Sequence, residues 1–342
     1  MLYFKYNTTK RNGETMTTKD KILNELIKSK NDYISGGRIG RNLGISRNAV
    51  WKAIKQLENE GFKIEAVTNK GYRLLQKADT ITAEDIINSM NTENVKENII
   101  ILDTTDSTNV YAKKLAEEGA KDRTVVIANE QSAGKGRMGR TFCSPKNSGI
   151  YMSLILRPDF PVDAAQLLTS YTAVTASQAI DNLYECSTQI KWVNDIMLCD
   201  KKICGILTEA SINCETCRFS YIIVGIGINV GSVKNSFEDD LLSIASSLED
   251  ETKIVLPRSL VIAEFLDIFF ENLPSLYDRS FLSLYRERSW ILGKDVSVLR
   301  NGVATDAVAL SIDDNAGLTV QYTDGTTETI NSGEASVKKQ TK

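Results

Sequence analysis

The chain contains no histidine. That absence removes serine–histidine and cysteine–histidine nucleophile systems, histidine-ligated metals and imidazole acid–base catalysis. Any enzyme built from it works with lysine, arginine, carboxylates, hydroxyls and backbone amides. No apolar run approaches the ~18 residues of a membrane span. The first fifteen residues carry Lys5, Lys10 and Arg11 but no apolar stretch of signal-peptide length. The protein is therefore expected in the cytoplasm with no membrane partner. Residues 1–15 read as an extension or tag, and Met16 as the natural start.

Cysteine is present but poorly placed for a framework. Of Cys143, Cys186, Cys199, Cys204, Cys214 and Cys217, only the last two have ligand or redox spacing. Without histidine a zinc site would have to recruit Cys199 and Cys204, yet Cys204 lies in the apolar run Ile203–Leu207 and reads as strand interior. No structural zinc is expected, and free thiols are the default.

A length of 342 residues suggests two or three domains. The net charge of −3 hides an asymmetry: residues 16–77 carry +7 and residues 78–342 carry −12. A basic head on an acidic body points to a nucleic-acid-binding module joined to something else.

The head has three helical patterns. Lys19 to Ser29 places Ile22, Leu23, Leu26 and Ile27 on one face. Gly36 to Leu43 turns Ile39 and Leu43 inward. Gly44-Ile45-Ser46 then supplies a turn and an N-cap, and Arg47 to Glu58 buries Val50, Ile54 and Leu57. Two alternating runs, Phe62–Val67 and Tyr72–Leu75, follow as a hairpin through Thr68-Asn69-Lys70-Gly71. This is a winged helix–turn–helix whose second paired helix would enter a major groove. The candidate DNA-facing residues are Gly36, Arg38, Ser46, Arg47, Asn48, Lys52, Lys55, Lys70 and Arg73. A three-helix protein-interaction module is the rival reading.

In the body, strands and helices alternate from residue 99 (Ile99–Leu102, a helix from Ser107 to Gly119, Thr124–Ala128), which makes an α/β or α+β domain. Four clusters stand out. Asp106-Ser107-Thr108-Asn109 opens a helix and offers hydroxyls and free N–H groups to a ligand. Gln131 to Arg140 interleaves three glycines with Lys135, Arg137 and Arg140. Its flexible backbone would approach phosphate oxygens while the cations neutralise them. Lys191-Trp192-Val193-Asn194-Asp195 precedes Lys202, a lysine at the mouth of a buried strand or in a hairpin turn. Gly225 and Gly227 mark either close ligand approach or a bulge, and alone they favour the bulge.

Taken in order, Asp-Ser-Thr-Asn, Gln-x-x-Gly-Lys-Gly-Arg-x-Gly-Arg, Lys-Trp-x-Asn-Asp, Lys-x-x-Gly-Ile-Leu and Gly-x-Gly-x-Asn resemble biotin–protein ligase. With the winged helix in front, the chain resembles the bifunctional ligase and biotin operon repressor. Lys135 stands where that family usually has arginine, Val193 where it has proline, Phe142 where a tryptophan often follows the loop, and Lys338 where an arginine often contacts ATP. Lys135 keeps the charge but loses the planar fork.

The resemblance implies an α+β multidomain fold: the winged helix over 16–78, a class II synthetase-like α/β ligase domain with a mixed sheet over 79–290, and an SH3-like small β-barrel over 291–342. It implies formation of biotinyl-5′-AMP from biotin and ATP, then transfer to a lysine of a biotin carboxyl carrier protein. It also implies biotin-responsive repression at operator DNA by a homodimer formed on binding biotinyl-AMP. Lys202, Arg137 and Arg140 would be catalytic. Ser107, Thr108, Asn109, Gln131, Lys135, Gly136, Arg137, Lys202 and Gly205 would bind biotin. Lys135, Arg137, Arg140, Phe142, Asn194, Lys202 and Asn229 would bind ATP, with Asp195 a candidate Mg²⁺ ligand. The rival functions are a ligand-sensing regulator without ligase activity and a lipoate-type acyl-adenylating ligase.

Overall fold

The computed structural model describes residues 17–29, 32–59, 62–76, 80–91, 98–157, 165–213, 215, 218–300, 303–331 and 333–337. The N-terminal extension, Met16, Cys214, Cys217 and Lys338 lie outside them. The chain forms two compact units, with the boundary after Thr80.

The first unit contains α1 (Thr18–Lys28), α2 (Gly36–Leu43), α3 (Arg47–Asn59) and the antiparallel hairpin of β1 (Lys63–Val67) and β2 (Gly71–Gln76). Its core is the apolar set the periodicity marks: Ile22, Leu26, Ile39, Val50, Ile54 and Leu57, joined by Ile34 and Leu74. Each such side chain contributes roughly 1.5–3 kcal/mol on burial. Ser35 caps α2 by accepting from the Arg38 N–H at 3.2 Å. Gly44 ends α2 in the left-handed region at φ 68°. Ser46 restarts the chain by accepting from the Ala49 N–H at 3.2 Å. The hairpin is fixed to the helices by reciprocal 2.9 Å bonds between Ile34 and Tyr72. Gly71 is required there: its φ is 105°, and a Cβ would stand 2.3 Å from the Ile34 carbonyl oxygen.

The second unit begins with α4 (Ala83–Ser89) and is built on a seven-stranded mixed sheet. Its elements are β3 (Ile99–Leu102), α5 (Thr108–Glu117), β4 (Thr124–Ala128), β5 (Gly149–Leu156), α6 (Ala165–Tyr184), β6 (Gln189–Lys191), β7 (Asp195–Leu198), β8 (Lys201–Asn213) and β9 (Arg218–Asn229). The sheet order is β3-β4-β5-β9-β8-β7-β6; only β3 and β4 are parallel. Strand alternation divides its residues between two layers. Val126, Ile155, Tyr221 and Ile223 pack with Ala112 and Ala116 of α5. Val125, Ile127, Leu154, Ile222 and Val224 face the larger core, where α6 packs on α9 (Arg258–Glu271). The short helices α8 (Leu248–Thr252), α10 (Ser275–Asp278) and α11 (Leu282–Glu287) complete that side, while Leu241 and Leu242 of α7 (Asp239–Leu242) pack in a separate small cluster with Val233, Phe237 and Ala245. α6 is buried nearly all round because sheet and helices enclose it, and its Thr172 and Thr175 hydroxyls donate back to the helix carbonyls of Leu168 and Tyr171; among the described residues no helix is long and apolar enough to cross a membrane.

The C-terminal strands β10 (Asp295–Arg300), β11 (Val303–Ile312), β12 (Leu318–Tyr322), β13 (Thr327–Ile330) and β14 (Glu334–Val337) form an antiparallel sheet in the order β13-β12-β11-β10-β14. Val296, Val298, Leu318, Val320 and Ile330 belong to the same core cluster as the central sheet. The Trp192 indole N–H reinforces the junction by donating to the Ala316 carbonyl at 2.9 Å.

Candidate functional site

Five segments far apart in sequence line one cleft holding about 450 Å³ of open space. The start of α5 contributes Ser107, Thr108 and Asn109, all buried. The loop after β4 contributes Gln131, Lys135, Gly136, Arg137 and Phe142. Asn194, Lys202 and Gly205 come from the β6–β7 turn and β8, and Gly225 and Gly227 from β9. Antiparallel pairing places Gly205 opposite Gly227, which sets the two glycine motifs side by side.

The Ser107 backbone holds the N-cap position of α5, as the sequence suggests, but its hydroxyl makes no cap bond. Its side chain faces the cleft instead. Thr108 and Gln131 are locked together: the Thr108 N–H donates to Gln131 Oε1 at 2.8 Å, and Gln131 Nε2 donates to Ser144 Oγ at 2.9 Å. Asn109 Nδ2 donates to Glu209 Oε2 at 2.7 Å and to the Leu207 carbonyl at 3.3 Å.

The loop that the glycines suggested would be flexible is braced. Lys135 pairs with Thr141 across an antiparallel bridge. The Gly136 N–H donates to the Arg140 carbonyl at 2.7 Å, and Phe142 N–H to Gly134 at 2.8 Å. Its tip, Arg137–Gly139, is a tight turn with exposed Met138 at φ 54°. Arg137 reaches out of this turn to Asn194 Oδ1 and to the Gly333 carbonyl, both at 3.1 Å.

Gly225 and Gly227 do not form the bulge that the sequence favours. Both sit in regular register with β5 and β8. They are small because side chains lie on them. A Cβ on Gly225 would stand 2.1 Å from Asn109 Oδ1, and one on Gly227 would stand 2.5 Å from the Phe142 ring. Gly205 likewise clears the Lys202 ammonium, which would be 3.0 Å from a Cβ. Lys202 is the second residue of β8, beside the Cys199-Asp200 turn, at the mouth of the strand rather than in the turn itself. Its ammonium lies 2.7 Å from Asp195 Oδ1.

A second cavity adjoins the first through Arg137, Phe142, Asn194 and Lys202, and adds Arg140, Lys191, Asp195, Gly333 and Glu334. Arg140 forms a two-pronged pair with Glu334 at 3.0 and 2.6 Å. Burial pushes the Glu334 carboxyl up, but the Arg140 hydrogen bonds and charge outweigh it and hold the group below its ordinary range. Asn229 lines neither cavity; it is buried, and its amide donates to the Ser246 carbonyl at 2.8 Å. Cys204 is fully buried, and burial pushes its thiol up, so it is no nucleophile. Among the described residues no group of three acidic or cysteine side chains could hold a metal by itself.

In the first unit, Arg47, Asn48, Lys52 and Lys55 line the outer face of α3. Lys55 is paired with Glu58 at 2.6 Å. Arg38 and Ser46 are exposed, while Gly36 packs under the Tyr72 ring. Lys70 and Arg73 flank the Tyr33 ring at 5.5 and 4.6 Å. Arg73 is not free: it pairs with Glu65 at 2.5 Å, and the Tyr33 hydroxyl donates to the same carboxylate at 2.7 Å.

Sequence reasoning passed over Trp51, half exposed between these cations. The four-residue steps Arg47, Trp51 and Lys55 were the available signal. It also passed over Ser144, Ser153, Glu209 and Glu334, whose partners are distant in sequence and carry no local signature.

Comparison with known proteins gives two matches along the chain: the Biotin/lipoate A/B protein ligase family over residues 101–229, and an HTH domain over residues 18–73. The "Bifunctional ligase/repressor BirA" of Bacillus subtilis is 37% identical over 86% of this chain and 91% of its own length. The "Biotin--[acetyl-CoA-carboxylase] ligase" of Mycobacterium tuberculosis is 28% identical over 67% of this chain and 85% of its own length. Among solved structures, the biotin protein ligase from Aquifex aeolicus in complex with biotin and ATP superposes with a TM-score of 0.60. It is 27% identical and covers 71% of this chain and 100% of its own.

Proposed function

The chain belongs to the Biotin/lipoate A/B protein ligase family, among its bifunctional ligase/repressors, and from that premise we propose that it is a biotin–[acetyl-CoA-carboxylase] ligase that also represses transcription. It joins biotin and ATP to give biotinyl-5′-AMP and pyrophosphate. The ε-amine of a carrier-protein lysine then attacks the mixed anhydride, releasing AMP and leaving an amide. The observation that carries this reading is the convergence of five ordered motifs on one cleft, with a cationic loop along its edge.

The chemistry suits a chain without histidine. Biotin's carboxylate is already ionised near neutral pH and needs no general base. The barrier is the approach of one anion to the α-phosphate of another, which fixed cations lower by positioning and charge stabilisation. Lys202 lines both cavities, which supports reading it as the bridge between the biotin carboxylate and the α-phosphate. Arg137 and Lys135 hold the nucleotide and intermediate from the loop, Arg140 contacts the phosphates from the second cavity, and Phe142 packs against the adenylate. Ser107, Thr108, Asn109 and Gln131 take the polar ring of biotin, with Gly136 and Gly205 giving backbone room.

Magnesium fits as an ion arriving with the nucleotide, since such sites use one or two carboxylates together with phosphate oxygens. Asp195 is the carboxylate in position, and the ion would add phosphate charge neutralisation.

The N-terminal unit supports operator binding through α3 and the hairpin. We read repression as requiring a homodimer favoured by biotinyl-AMP, which would present two helix–turn–helix units to paired half-sites. The C-terminal sheet reads as an SH3-like small barrel and the central one as class II synthetase-like. The three-domain division at 78/79 and 290/291, and a cytoplasmic location beside the carrier protein, belong to the same proposal.

One assay tests the enzyme: ATP, labelled biotin and an apo carrier domain, scored for covalent label. A ligand-sensing regulator leaves the carrier unlabelled, and a lipoate-type ligase labels it only with lipoate. A gel shift with and without biotin plus ATP tests the repressor; ligand-independent binding removes the corepressor role.

A further inference from the structure

Beneath the Thr108–Asn109 layer lies a serine that does not reach the cleft. Ser153 is in the middle of β5 and fully buried. Its Oγ is 2.8 Å from Thr108 Oγ1 and 2.7 Å from Asn109 Oδ1. Its partner on β9 is Gly225, and the missing side chain there is what lets the Asn109 amide lie against the sheet.

Proton accounting fixes the direction of these bonds. Asn109 Nδ2 faces two acceptors, the Leu207 carbonyl and the Glu209 carboxylate, so both its hydrogens are committed and the amide cannot turn over. Asn109 Oδ1 is an acceptor only. The Ser153 hydroxyl therefore donates to these two oxygens, Asn109 Oδ1 and Thr108 Oγ1, and the Thr108 hydroxyl donates in turn to Gln131 Oε1 at 3.2 Å. Thr108 then has no proton left for the cleft and presents lone pairs to it. The remaining lone pair of Asn109 Oδ1 is likewise an acceptor. Gln131 Nε2, with one hydrogen on Ser144 Oγ, keeps a second hydrogen free and supplies the nearby donor.

We propose that Ser153 is a positioning residue that turns acceptors of Thr108 and Asn109 toward the cleft, and so selects a cyclic urea, with its two N–H donors, over acyl chains that lack them. The inference rests on the biotin-ligase reading and adds the source of its head-group selectivity. Without the serine hydroxyl, Thr108 Oγ1 loses the donor that fixes it against the sheet. Asn109 Oδ1 would also lose its buried donor.

The test uses the full chain in biotin-dependent ATP–pyrophosphate exchange, with octanoate as a competitor that has the carboxylate and chain but no urea. Ser153→Ala is expected to raise KM for biotin about tenfold or more, the scale of losing an oriented buried hydrogen bond. It should leave kcat within about twofold and the inhibition constant of octanoate unchanged. An unchanged KM for biotin overturns the proposal. So does an equal loss for biotin and octanoate, which is what general damage to the fold would give. Should the alanine variant not fold, Ser153→Cys carries the same comparison with volume retained and a weaker donor, and the same two outcomes overturn the proposal. A wild-type protein that binds octanoate but shows no biotin-dependent exchange removes the biotin reading itself.

Discussion

Lys202 and Asp195 face each other across the β7–β8 hairpin, with the ammonium 2.7 Å from the carboxylate; Lys202 lines both cavities and Asp195 the second. The two groups form an ion pair, and Gly205 leaves the space in which the lysine lies. In the proposed mechanism, Lys202→Ala removes the charge that would bridge the two reacting anions while leaving the buried strand behind it intact. Pyrophosphate exchange should fall by about 10²-fold or more, in the range of losing one preorganised electrostatic contact. The melting temperature should stay near that of the wild type. Normal exchange by the variant would remove Lys202 from the reaction.

Arg137 is the one loop cation that reaches both the β6–β7 turn, at Asn194, and the C-terminal sheet, at Gly333. Arg137→Ala should free the loop at both points. The expected phenotype is loss of retention: biotinyl-AMP still forms but escapes, with a dissociation rate raised about tenfold or more. Trapping labelled intermediate by gel filtration measures it, and undiminished retention would count against the loop's role.

Gly225 and Gly227 give the sharpest steric predictions. A methyl group at 225 meets Asn109 Oδ1, and one at 227 meets the Phe142 ring. Gly225→Ala should displace the Asn109 amide and weaken biotin binding by about tenfold or more, leaving nucleotide contacts alone. Gly227→Ala should push Phe142 outward and weaken binding of the adenylate more than that of biotin. Calorimetric titration with biotin, and then with a non-hydrolysable biotinyl-AMP analogue, separates the two.

Much of the first unit was legible because its signals are local. The bounds of α2, the left-handed Gly44 and the Ser46 cap all follow from neighbouring residues. In the body, β3 and β4 have the ranges that their apolar runs predict. What escaped depends on register between strands far apart in sequence. Gly225 and Gly227 read as a bulge in isolation, and only the pairing with β5 and β8 brings Asn109 and Phe142 over them. The Asn229 amide looked ligand-facing by motif, yet the turn before α8 captures it. Arg73 reads as a DNA-facing residue of the wing, and nothing local in the sequence shows that it meets Tyr33 and Glu65.

That cluster sets a pH and salt prediction. Hydrogen bonds from Tyr33 and Arg73 hold the Glu65 carboxyl below its ordinary range. A depressed carboxylate contributes stability that is present above its unfolded pKa and is lost as pH falls through the lower folded value. The hairpin contacts should therefore persist from neutral pH to below the usual glutamate range, and the Glu65 carboxyl resonance should titrate late on acidification. Glu65→Gln frees Arg73 for phosphate. Non-specific DNA affinity at low salt should rise, and the slope of log K against log salt should steepen by about one. An unchanged slope would mean that Arg73 stays on Tyr33 even without its ion pair.

Trp51 projects from the same helix face as Arg47, Asn48, Lys52 and Lys55, and half of it is exposed. An indole that large gains by leaving water, and on α3 the surface offered by a major groove includes thymine methyl groups and sugar edges. Trp51→Ala should weaken operator binding by about tenfold or more, within the range of losing one specific base contact, while changing non-specific binding little. The salt slope should not move, because no charge is removed. Replacing operator thymines one at a time by uracil should reproduce the loss at one position in the wild-type complex and have no further effect at that position in the variant. Equal weakening of operator and random DNA would instead make Trp51 a support for the helix rather than a reader of bases.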